Sequence, residues 1–262
     1  MQSSLQVGEA DSSPVDGQIL CAENGAMIFG NESIATFSRT NVMLWMVLAF
    51  QAGMLNVGGF LACHGFVSHV TGYATLFAVQ AYQANYVMAA EMLMVPTLFL
   101  VGAMLSGFLV DHRLKRGLRP GYFVAFGVLF FLLLSVVVAG FNHAFGAFGD
   151  DNPLLLAMLC LVCGVQNGLV TLVSRAVVRT THLTGITTDL GIGLVRVALG
   201  GGGADEGRAN LMRMGIILFF ILGSAVGTAT FVALGYRGFL VPTVISGTLF
   251  LLATYFQVLR SN

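Results

Sequence analysis

The chain has 262 residues, of which 56% are hydrophobic and only 9% charged, with twelve basic side chains balancing twelve acidic ones. A soluble domain carries roughly a quarter of its residues as charges, so this composition excludes a water-facing surface, and a net charge of zero points to neither nucleic acid nor an acidic partner. What remains is a polytopic membrane protein, a class in which glycine is also enriched, and 33 glycines are present.

Residues 1–41 stand apart. They hold Glu9, Asp11, Asp16, Glu23 and Glu32 against one base, Arg39. No basic start leads into an apolar core, so the segment does not read as a secretory signal. It reads as an acidic, mostly disordered cytoplasmic tail.

A membrane-crossing helix needs about 20 apolar residues. Six windows qualify: Met43–Ala62, Val87–Val110, Tyr122–Phe141, Leu154–Val173, Met214–Leu234 and Phe239–Val258. Two further stretches, Thr71–Ala84 and Thr184–Leu199, are shorter and carry polar groups, among them Gln80, Gln83, Asp189 and Arg196. Loop charge decides how to count them, because Lys and Arg collect on the cytoplasmic side. The loop Asp111–Pro120 carries four basic residues and is placed inside. With the short stretches re-entrant, only Arg237 of the twelve basic residues falls outside, leaving eleven inside. With both stretches crossing, Arg39, Arg196, Arg208, Arg213 and Arg260 move outside, leaving seven. The expected architecture is therefore all-α, with six transmembrane helices, two short broken helices, and a cytoplasmic N-terminus.

The chain repeats itself. His69–Thr75 (HVTGYAT) recurs as His182–Thr188 (HLTGITT), an offset of 113. Upstream, Gly53–Asn56 matches Gly164–Asn167 at an offset of 111; downstream, Gly102–Ser106 matches Gly223–Gly227 at 121. The extra length sits in the Gly-rich segment Gly200–Asn210, read as a loop. Half A, residues 42–141, and half B, residues 154–262, are joined by an outside loop, 142–153. Each half has three spans. An odd number inserts the second half upside down, which is the inverted-repeat plan of many secondary transporters.

Two motifs in half B carry a resemblance: QNGLV at Gln166–Val170 and TTHLTGITTDLG at Thr180–Gly191. On these the chain resembles the YoaK-like family of bacterial multi-pass membrane proteins, over about Val42 to Val258. Tyr73 and Asn56 depart from the family's usual residues in half A. The resemblance implies a multi-pass protein of the bacterial cytoplasmic membrane and carries no activity with it.

The residues that could act on a solute lie in the repeat. Thr71 and Thr184 can cap the helices that follow, and Gly72 and Gly185 allow close approach. Free N–H groups at such helix starts favour anions. The plainer reading is capping and tight packing. Asp189 is an ionisable group at membrane depth and a functional candidate by default. Arg196, two turns on, suits snorkelling to the inner interface. The path residues are then His69, Thr71, Gly72, Thr75, Asn167, Thr181, His182, Thr184, Gly185, Thr188 and Asp189. Gln51, Asn56 and Gln166 read as polar glue between helices, while Gly102, Ser106, Gly223 and Gly227 read as small-residue packing faces. Cys63, Cys160 and Cys163 lie in apolar runs and read as buried thiols. The histidines show no metal-ligand spacing, and no nucleophile–base pair appears, so no metal, cofactor or catalytic residue is expected. The function expected is passage of a small solute between the two halves. The alternative is a non-transporting membrane scaffold acting through protein or lipid partners.

Overall fold

The computed structural model describes residues 38–116, 121–174, 182–201 and 203–259. The acidic tail to residue 37, with Cys21, and the residues Arg175, Arg179 and Thr181 lie outside these. The described residues are helical, with no strand. The helices are α1 Arg39–Cys63, α2 Val70–Tyr82, α3 Tyr86–Lys115, α4 Tyr122–Phe141, α5 Pro153–Val173, α6 Leu183–Ala198, α7 Gly203–Leu234 and α8 Leu240–Thr254.

Local chemistry sets the ends. Ser38 caps α1 by accepting from Asn41 N–H at 3.4 Å, and His64 ends it in the left-handed region with φ 51°. Asn152 caps α5 by accepting from Leu155 N–H at 2.8 Å, ahead of a proline whose missing N–H costs nothing at that position.

Two expectations are corrected. The Gly-rich segment 200–210 is not all loop, since α7 begins at Gly203, eleven residues before the expected Met214. Asp205 and Glu206 in its first turn favour the helix start. The last two windows form one apolar run, Gly203–Gln257, so five continuous segments are long and apolar enough to cross a membrane. Within that run a 3₁₀ turn, Gly235–Phe239, separates α7 from α8, and Gly235 supplies the left-handed φ of 55°. A π turn, Tyr255–Leu259, follows α8.

The central pair is α1 and α5, which bury 67% of their apolar windows, against 28% for α3. Each is joined to a helix of the other half. Along α1 and α7 the partners rise together: Met46 with Gly215, Phe50 with Gly223, Met54 with Gly227, Gly58 with Phe231. These helices run parallel. So do α3 and α5, through Phe99 with Gly164 and Ala103 with Gly168. The partners fall in opposite order along α4 and α8 (Gly127 with Phe250, Phe130 with Gly247, Gly140 with Tyr236), so those run antiparallel. Antiparallel too are α1 and α5, through Leu48 with Gln166 and Gly65 with Leu156.

The two parallel crossings are counterparts. A side chain on Gly53 would collide with the carbonyl of Phe220, and one on Gly164 with that of Phe99. Gly223 lies as tightly on the Phe50 carbonyl as Gly102 does on that of Leu161. Shifting by 111 on the first helices and 121 on the third turns each contact into its counterpart. Ser106 is buried in the α3–α5 crossing, where its hydroxyl donates to Val165 O at 2.7 Å, and Gly227 sits in the α1–α7 crossing against Met54 and Val57. Without interhelical glycine, backbones could not approach this closely, and close packing is what holds helices together in lipid. Cys63, Cys160 and Cys163 are buried free thiols in the apolar core.

Candidate functional site

The two HxTG elements have the same local structure. Their N-cap residues are the histidines: His69 at φ −95°, ψ 61° and His182 at φ −95°, ψ 59°. The N-cap positions belong to these histidines, neither of which makes a capping side-chain hydrogen bond, so Thr71 and Thr184 are not the caps expected of them. Those threonines lie in the first turn, where their carbonyls accept from the hydroxyls of Thr75 at 3.3 Å and Thr188 at 2.9 Å. Bonds to the i−4 carbonyl satisfy a hydroxyl without water. Four residues after each histidine one side chain is buried, Tyr73 in α2 and Ile186 in α6. The His69 ring lies over Gly72, which is why that position has no room for a side chain, whereas Gly185 faces open space. Ser68 donates to Asn56 at 3.1 Å and ties the start of α2 to α1.

These elements do not converge. In each half the short helix packs on the third helix, α2 on α3 and α6 on α7. His69, Thr71, Thr75, His182, Thr184, Gly185, Thr188 and Asp189 are all exposed on the described surface. Asp189 does not face the interior of the bundle as expected. The buried stripe of α6 is Ile186 and Gly193, seven apart, and Asp189 with Arg196 forms the stripe beside it. Thr181 is outside the described residues, and Asn167 is buried in α5.

What does converge is a different set. Gln51, Gln166 and Ser246 are all fully buried, from α1, α5 and α8. Gln51 Nε2 donates to Gln166 Oε1 at 3.1 Å and to Ser246 Oγ at 2.8 Å, and Gln166 Nε2 donates to Leu48 O at 2.8 Å. Gln51 Oε1 has no partner. Gln51 is the middle residue of α1 and Ser246 is near the middle of α8, so the three amide and hydroxyl groups gather halfway along α1, where it meets α5 and α8. The two glutamines are legible in the sequence as polar residues inside apolar windows. Ser246 is not, because one serine in a glycine-rich helix carries no signal.

A second polar cluster joins α6 to α7. Arg213 reaches Glu206 at 2.8 Å and Asn210 at 2.6 Å, and Arg196 lies 3.8 Å from the other oxygen of Glu206. It packs over Gly193, where a Cβ would meet Asn210, Glu206 and Arg213 together. Arg196 therefore pairs within the chain while its side chain stays mostly exposed.

The family model for a protein of unknown function, DUF1275, matches residues 44–252, well over half of the chain. The chain belongs to the DUF1275 family. The YoaK-like resemblance carried by QNGLV and HLTG is consistent with this membership. Comparison with curated proteins and with solved structures finds no match. This DUF1275 protein is thus a membrane-type helical protein whose relatives supply no activity, and its site must be argued from its own residues.

Proposed function

We propose that this protein moves a small solute across the bacterial cytoplasmic membrane, binding it between two inverted halves rather than performing enzymatic chemistry. The observation that carries the reading is the reciprocal pair of crossings, α1 on α7 and α5 on α3, with repeat-related glycines at their centres. Inverted halves meeting near the bilayer midplane are the frame on which many secondary transporters rock. A polar trio with an unpartnered carbonyl at that meeting point fits the position of such a site. Buried polar groups in hydrocarbon are expensive and tend to mark function.

The helix directions support six crossings with the short helices entering and leaving on one side. If all eight helices crossed, α4 and α8 would run the same way, as would α1 and α5; both pairs are antiparallel. With six, α1 and α7 ascend while α5 and α3 descend, and the basic-residue count puts the N-terminus inside. Purified protein screened against a solute library by thermal unfolding tests the reading. A bound solute at a hundred times its Kd stabilises by about 2.7 kcal/mol, and Gln51→Leu is expected to abolish that gain. Proteoliposomes that accumulate none of the stabilising solutes would favour a scaffold.

A further inference from the structure

The geometry points to a binding site for one anionic phospholipid in a groove between α1 and α8, an inference that does not rest on transport. The groove has a volume of about 340 Å³ and runs from Thr40 and Leu252 at its mouth to Val47 and Val244 at its deep end. Seven residues of helix at ~1.5 Å each make it roughly 10 Å long, most of one leaflet of a ~30 Å hydrocarbon core. Its lining is apolar apart from the hydroxyls of Thr40 and Thr248, and the Thr248 hydroxyl is already turned back to Val244 O at 2.9 Å. Such a surface suits an acyl chain and offers nothing to a polar solute. Arg39 is exposed and directly precedes the groove residue Thr40 at the start of α1. An arginine at the end of an acyl-chain groove matches a phosphate headgroup.

Leu155 and Met158 of α5 stand where Leu44 and Val47 stand on α1, and belong to one apolar cluster with Leu129 and Leu132 of α4. The counterpart of Arg39 is Asp150, an acid whose carboxylate accepts from Ala147 N–H at 3.2 Å. At repeat-related positions, the groove's end of the chain carries a base and its counterpart an acid.

The single tryptophan, Trp45, is fully buried and does not line the groove, so a tryptophan placed at Met43, an exposed groove position, is the reporter (Met43→Trp). The protein is reconstituted in phosphatidylcholine vesicles containing increasing fractions of phosphatidylglycerol brominated on its acyl chains, which quench tryptophan on contact. Quenching is expected to saturate at a phosphatidylglycerol fraction about fivefold lower than with brominated phosphatidylcholine, the ratio that ~1 kcal/mol per basic residue near the surface provides. Arg39→Gln should erase the difference between the two lipids, and Thr248→Phe, an exposed position that fills the groove, should lower quenching by both. Equal quenching by the two lipids in Met43→Trp, no quenching by either, or an unchanged preference once Arg39→Gln is added would each overturn the assignment.

Discussion

Gln51 shows how residue type and surroundings together make a site. An amide in an apolar helix must find partners, because the lipid offers none. It finds two donor contacts, and its carbonyl finds none. Membrane hydrogen bonds are worth about 0.6 kcal/mol on average and ~1.7 at most, so the trio is weak glue with one unmet need. Replacing Gln166 by Leu leaves the Gln51 amide with Ser246 alone and is expected to cost about 1 kcal/mol. The double variant Gln51→Leu/Gln166→Leu removes both partners and should cost less than the sum of the singles. Reversible unfolding in mild detergent checks this, and additive losses would mean that the two amides do not depend on each other. The candidates that failed to gather are equally instructive. The sequence places Asp189 and Arg196 on one helical stripe, and that is how they lie. Which stripe faces the bundle was decided by Ile186 and Gly193, whose small and apolar surfaces fit against α7. Periodicity names the faces of a helix without naming the neighbour.

At the scale of elements, the sequence located nearly every helix and misjudged their ends. Hydropathy sees apolar runs, so it stopped the third helix at Val110 and began the seventh at Met214; the structure continues them to Lys115 and back to Gly203. Charged turns at the membrane surface are helical without being apolar. The sequence reading kept α7 and α8 apart, ending one at Leu234 and starting the next at Phe239, and the 3₁₀ turn Gly235–Phe239 lies there although the whole run Gly203–Gln257 is apolar. The glycine contacts give a sharper test of the elements. Gly53→Val and Gly164→Val each drive a side chain into a facing backbone carbonyl, in α7 and α3 respectively. Overpacking costs ~1–3 kcal/mol where side chains can yield, and backbone yields less. Both variants should lose several degrees of Tm to a similar extent, whereas Gly107→Ala, with no atom near its Cβ, should gain about 0.5–1 kcal/mol from helix propensity. A tolerated Gly164→Val beside a crippled Gly53→Val would break the equivalence of the two crossings.

For the whole molecule, the loop charges and the helix directions are independent lines of support for the six-crossing arrangement proposed above. The charges depend on biosynthesis; the directions depend on which residues touch. Asp205 lies at the start of α7, with a side chain almost fully exposed, so a cysteine there is a clean probe. An impermeant maleimide applied to intact cells should leave residue 205 unlabelled and label a cysteine at Ala144 in the opposite loop. Labelling at 205 would require every helix to cross and would remove the six-crossing arrangement.

The reciprocal crossings have a consequence for the order in which the molecule is made. The first helix touches its main partner about 170 residues later in the chain, since Phe50 meets Gly223. At translation rates of ~5–20 residues per second, α1 waits roughly 10–30 s in the bilayer with its glycine face and the Gln51 amide unmatched. No contact within half A covers that face, because the matching surface belongs to α7. Until the second half arrives, only lipid or whatever neighbours the nascent chain can cover the α1 face that α7 covers in the finished fold. The two halves are assembled by mutual insertion, and neither is a finished unit before the other.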